Sequence, residues 1–177
     1  MKKPNSNSDS YKMTIVNRVA TSGLINLDPA TLIKDVSVTV LALADFMGKE
    51  PILREKPFRE ALKTHDWSTY KNQYVAIHMD EDTIVPQWTP MLMTAKLQSV
   101  VKGVCLGNLE DAFSLAYNDA IQQLDFKKFT GKNVIVKGCS DGAVPNWVYV
   151  RLMKELQPYA NRISYGEACS SVPLFKR

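Results

Sequence analysis

The chain is predicted to fold as an α/β domain, with helices layered on a mostly parallel sheet of about five strands. Two observations lead there. Short apolar runs rich in β-branched residues alternate with longer amphipathic stretches. The chain also matches itself when slid by 59 residues, so that 66–107 aligns with 125–166 without a gap and nine of the 42 positions are identical. The shared positions include Val85-Pro86-x-Trp88 with Val144-Pro145-x-Trp147, and Leu97-Gln98 with Leu156-Gln157. Only three Trp occur in the chain, and two of them coincide in this register. Such self-similarity is the signature of an internal repeat.

Taken in order, Thr14–Ser22 is predicted to be a short helix stopped by Gly23. Val36–Val40 alternates and runs into Leu41–Leu43, a strand expected at a sheet edge. Pro57–Thr64 is a helix with Phe58 and Leu62 on one face, and His65 is expected to close it as a satisfied helix-end histidine. Tyr74–His78 and Asn133–Lys137 read as buried strands. Each is followed by a polar loop and a helix, Met91–Val100 and Trp147–Gln157, with Thr89 and Asn146 as expected caps. Each copy closes on a further strand, Gly103–Gly107 or Arg162–Gly166. Strand, helix, strand is a βαβ unit with parallel strands. Between the copies, Asn108 caps a helix reaching about Leu124, with Leu109, Phe113, Ala116, Ala120 and Leu124 as its apolar stripe. No Gly-, Pro- or Ser-rich linker separates the copies. The expected division is therefore a disordered tail over 1–12 and a single domain over 13–177 containing both units.

At 45% hydrophobic and 23% charged residues, the composition is that of a globular protein. No apolar run is long enough to span a bilayer, and no apolar stretch follows Lys2-Lys3 to make a secretory signal. Three irregularly spaced cysteines argue against a disulfide scaffold and for a reducing cytoplasm. The net charge of +4 lies at the ends, with +2 in 1–12 and +2 in 171–177. The Lys127-Lys128 pair reads as a solvated turn. No nucleic-acid face is expected, and any affinity for DNA or RNA should be weak and lost at moderate salt. No membrane partner is expected; a homodimer is compatible with the sequence.

Four phrases resemble a bacterial family catalogued as domain of unknown function 2480: Ile15–Ile25 (Ile-Val-Asn-Arg-Val-Ala-Thr-Ser-Gly-Leu-Ile), His65-Asp-Trp-Ser68, Lys137-Gly-Cys-Ser140, and Cys169–Arg177 (Cys-Ser-Ser-Val-Pro-Leu-Phe-Lys-Arg). The resemblance spans nearly everything after residue 12. It implies no activity and transfers no role to any residue.

A parallel sheet binds ligands outside the carboxyl ends of its strands. Those ends are expected at 78–82, 107–111, 138–142 and 166–171. Cys139 and Cys169 fall on them and are expected on one edge of the sheet, with Cys105 elsewhere and buried. The 59-residue offset places Cys139 opposite Asp80 and Cys169 opposite Glu110, with His78 beside them. Deprotonated Cys, Asp, Glu and His all ligate metals, so these five residues are candidate ligands for a divalent ion such as zinc or iron. Cys139 and Cys169 are also the candidate catalytic thiols. The same cysteines equally fit separate packed thiols or a redox pair. Dinucleotide and P-loop phosphate cradles, a phosphatase loop and a serine triad all lack their signatures. Two readings stay open: a module that binds a small molecule or protein partner, and a metal- or thiol-dependent enzyme.

Overall fold

The computed structural model describes residues 23–48, 52–138 and 144–177. The predicted helix over 14–22 and the tail over 1–12 lie outside these. Among the described residues, the strands are β1 (Leu24–Leu27), β2 (Val38–Ala42), β3 (Tyr74–His78), β4 (Gly103–Leu106), β5 (Asn133–Val136), β6 (Arg162–Glu167) and β7 (Ser170–Lys176). The α-helices are α1 (Glu55–Thr64), α2 (Trp88–Leu97), α3 (Leu109–Gln122) and α4 (Asn146–Leu156).

The expected single sheet of about five strands is corrected to two sheets. One has the order β2-β3-β4, all parallel; the other is β1-β5-β6-β7, with β1, β5 and β6 parallel and β7 antiparallel. The physical reason lies in α3, which is apolar on two sides rather than along the one stripe predicted. Ala112 and Ala116 pack with Tyr74 and Ala76 on one face of the first sheet, and small side chains allow that close approach. Tyr117 and Ile121 belong to the core of the second sheet. A helix buried on both sides separates the two sheets as a layer of its own. The opposite face of the first sheet, with Val75 and Ile77, is covered by Phe58 and Leu62 of α1 and Met93 and Leu97 of α2. On the second sheet, Val134, Val136 and Ile163 pack under Val148, Leu152 and Leu156 of α4.

Local chemistry explains the individual elements. As expected, β2 forms an edge of its sheet. Asn108 caps α3 through a reciprocal capping box with Asp111. Helix α2 begins at Trp88, three residues before the predicted start, because Pro90 is tolerated within a first turn. Thr89 is not its cap; Gln87 holds that position. Asn146 is likewise the first residue of α4 rather than its cap.

The connections on the two sheets run in step. Asp66 and Asp125 each accept a backbone N–H two residues on, from Ser68 and Lys127, both at 3.0 Å, and each opens a 3-10 turn. The Asn72 and Gly131 N–H groups donate to Val100 and Tyr159 carbonyls at 3.0 Å, and those of Lys102 and Asn161 donate to Gln73 and Lys132 carbonyls at 2.8 Å. Tyr74 pairs with Gly103 as Asn133 pairs with Arg162.

Candidate functional site

The carboxyl ends of β1, β5 and β6 carry Asp28, Lys137 and Glu167. The Lys137 ammonium lies 4.0 Å from Asp28 and 3.8 Å from Glu167, one cation between two carboxylates. Asp28 also accepts the Ala30 N–H at 3.1 Å, capping a 3-10 segment, Pro29–Ile33, whose Pro sits in its first turn. After Lys137 comes Gly138, packed so closely against the end of the Tyr165 ring that a Cβ there would require the ring to shift.

Beside this charged row opens a cleft of about 790 Å³, within the size range of small-ligand sites. One wall is the capped segment, through Ala30 and Ile33. The second is the first three turns of α3, through Leu109, Glu110, Phe113, Ser114 and Tyr117, and the third is the start of α4 from Val144 to Trp147. The floor is held together by a donor and an edge. The Trp147 indole N–H donates to the Ser114 hydroxyl at 3.3 Å, and the Tyr117 and Trp147 rings meet edge to face at 6.4 Å. Burial, and then the negative charge of Asp28, push the Tyr117 phenol above its ordinary pKa, so it remains a neutral hydrogen-bonding group. The cleft is lined mostly by carbon, and Glu110 is the one charged residue among its described lining residues.

The candidate ligands named from sequence are dispersed. His78 and Asp80 do come together, Nε2 to Oδ1 at 3.4 Å, at the end of β3 on the first sheet. Glu110 lines the cleft of the second sheet. Cys169 is exposed beside Ser170, at the tight turn joining β6 to β7. The loop expected there is instead a hairpin, because Glu167 pairs with Ser170 and the strand continues through the last residues of the chain. Cys105 is only half-buried, on β4 beside α3; burial and the nearby Asp111 carboxylate raise its pKa. Cys139 lies outside the described residues, so the thiol pair and any shared edge do too. Among the described residues, no three His, Cys, Asp or Glu side chains come together as a metal would need. His65 closes α1 as expected, its Nε2 3.1 Å from the Tyr70 hydroxyl.

Sequence reading missed Asp28, Lys137 and the cleft itself. Asp28-Pro29 is a helix-start signal and marks the first wall. Lys137 closes an apolar run and shows nothing of its two carboxylate neighbours, which lie far off in the chain, and the cleft is formed by three segments distant in the chain.

The molecule is thus an α/β protein with an apolar cleft at a sheet's carboxyl edge. The family described as protein of unknown function, DUF2480, matches residues 13–177, and the chain belongs to that family. No curated protein and no solved structure matches it. Among the described residues, no helix is long and apolar enough to cross a membrane.

Proposed function

We propose that the protein is a binding module whose ligand enters the cleft between Pro29–Ile33, α3 and α4 with an apolar group. We further propose that 66–107 and 125–166 arose by duplication of one βαβ unit within a single domain over 13–177. The cleft carries the functional reading. It sits where parallel sheets present their ligands, it is walled by Tyr117, Trp147 and Phe113, and the Asp28–Lys137–Glu167 row at the neighbouring strand ends offers polar contacts to the rest of a ligand. The duplication is supported by hydrogen bonds that repeat at the 59-residue spacing and by equal strand registers. The free thiols of Cys105 and Cys169 fit a reducing compartment such as the bacterial cytoplasm.

A titration of ¹⁵N-labelled protein with small apolar compounds, indole among them, tests the cleft. The Trp147 indole N–H signal should shift, and Ala30→Phe, which fills the cleft, should abolish the shift while the rest of the spectrum is kept. Binding that survives Ala30→Phe, or no binding at all, would refute the reading.

A further inference from the structure

In the first sheet's half, the chain enters α1 through an extended stretch. Ile52 forms a parallel bridge with Ile84, and Leu53, only 8% exposed, packs in one core with Met47, Phe58, Val85 and Trp88. The 59-residue spacing carries Phe58, Val85 and Trp88 onto Tyr117, Val144 and Trp147. Strand registers carry Met47 onto Ile33, because Val38 pairs with Tyr74 as Leu24 pairs with Asn133. All four corresponding residues line the cleft. The aromatic pair behind the slot is preserved as well: Phe58 meets Trp88 edge-on at 6.0 Å, as Tyr117 meets Trp147 at 6.4 Å.

What differs is the plug. Helix α3 begins at Leu109, so the residue in Leu53's place, Ala112, is helical and buried against the first sheet. The second slot therefore keeps those four wall residues, and α3 lines its side through Leu109 and Phe113 with no residue in the place of Leu53.

We propose that the cleft receives a leucine-sized side chain from an extended, basic segment of a partner protein, seated as Leu53 is seated in the first half. This rests on the correspondence and the binding cleft proposed above. Charge favours the basic character: Glu110 is the one charged residue among the described lining residues, the two carboxylates of Asp28 and Glu167 at the neighbouring strand ends outnumber Lys137 between them, and the first half's own plug is followed directly by Arg54. An extended backbone is favoured because Ile52–Leu53 reaches its slot in that form, one residue beyond a strand-like bridge.

The probes are an acetylated, amidated Pro-Ile-Leu-Arg peptide, its Leu-to-Ala version, and indole, each titrated into the ¹⁵N-labelled full chain. The leucine peptide should shift the Trp147 indole N–H signal and bind roughly tenfold or more tightly than the alanine peptide. Glu110→Gln should weaken the leucine peptide roughly threefold and leave indole unchanged. If indole binds while the leucine peptide does not, or both peptides bind equally, the partner-segment proposal fails and the cleft reading stands. If neither indole nor peptide binds, both fail.

Discussion

Leu53 and Ala112 stand 59 residues apart in the chain and are buried against opposite faces of the same sheet. Leu53 is 8% exposed among Phe58 and Trp88, and Ala112 is 0% exposed against Tyr74 and Ala76. Each size suits its own site, so the two substitutions should fail for opposite reasons. Leu53→Ala should cost about 2–4 kcal/mol by leaving a cavity. Ala112→Leu should cost about 1–3 kcal/mol or more, because a helix packed through alanines has no room for four carbons. Urea unfolding of both variants checks this. A loss below about 1 kcal/mol for Leu53→Ala would show that the slot collapses without its plug.

Thr89 is fully buried, and its hydroxyl has no hydrogen-bond partner among the described residues. The residue at the corresponding place on α4 is Val148, also fully buried. Thr89→Val keeps the shape and removes an unsatisfied polar atom, so it should raise stability by about 1 kcal/mol. Thermal and urea midpoints should both rise. A fall would mean that the hydroxyl is satisfied after all.

The parts of this fold legible in the sequence are those whose signal is local. Tyr74–His78 is legible to the residue because a five-residue apolar run with β-branched members is too short for a buried helix and fits a strand covered on both faces. Asn108 announced α3 because its side chain and Asp111 close a box within one turn. The division into two sheets was not legible, since it depends on both sides of α3 being buried at once, and periodicity reads one stripe at a time. Strand β7 escaped because Pro173 and an irregularity opposite Ile163 and Ser164 interrupt its alternation. Those features suit an edge, where a missing N–H and a bulge discourage further pairing. At the site, Glu110 is a candidate metal ligand by residue type, and the fold places it on the wall of a mostly apolar cleft. Residue type showed its chemistry but not its neighbours.

Gly107 joins β4 to α3 with φ at +137°, a region almost closed to other residues. A Cβ there would also strike the Asp111 carboxylate, which accepts the Asn108 N–H at 2.7 Å in the capping box. Gly107→Ala should therefore cost about 2–4 kcal/mol, from backbone strain together with a disturbed cap. Amide exchange in the first turn of α3 should accelerate more than in α4. Equal acceleration in both helices would point to a global effect and not to the cap.

The exposed Cys169 should react promptly with a thiol reagent, and Cys105 slowly, because burial and the Asp111 carboxylate disfavour its thiolate. Counting thiols with time in a Cys139→Ser variant isolates the two. Equal rates would contradict the placement of Cys105 against α3.

Stability should fall on the alkaline side, and Tyr74 is the place to look. Its hydroxyl donates to the Asp119 carboxylate at 3.2 Å, tying β3 to α3. Burial first, and then the Asp119 charge and this hydrogen bond, raise the phenol's pKa above its ordinary value near 10. Tyr70 and Tyr117 are raised in the same direction, each chiefly by burial. A raised pKa means that the folded state holds its proton more tightly than the unfolded chain. The resulting stability is complete below about pH 10 and is lost as pH climbs through the folded-state values. Tyr74→Phe removes one of these groups. At pH 7 it should be less stable than wild type by about 1 kcal/mol, the usual worth of a hydrogen bond. Between pH 9 and 11 it should then lose stability less steeply, so the two curves converge. Urea midpoints measured across that range give the answer. Parallel curves would mean that the Tyr74 phenolate meets no more resistance in the folded protein than in the unfolded chain.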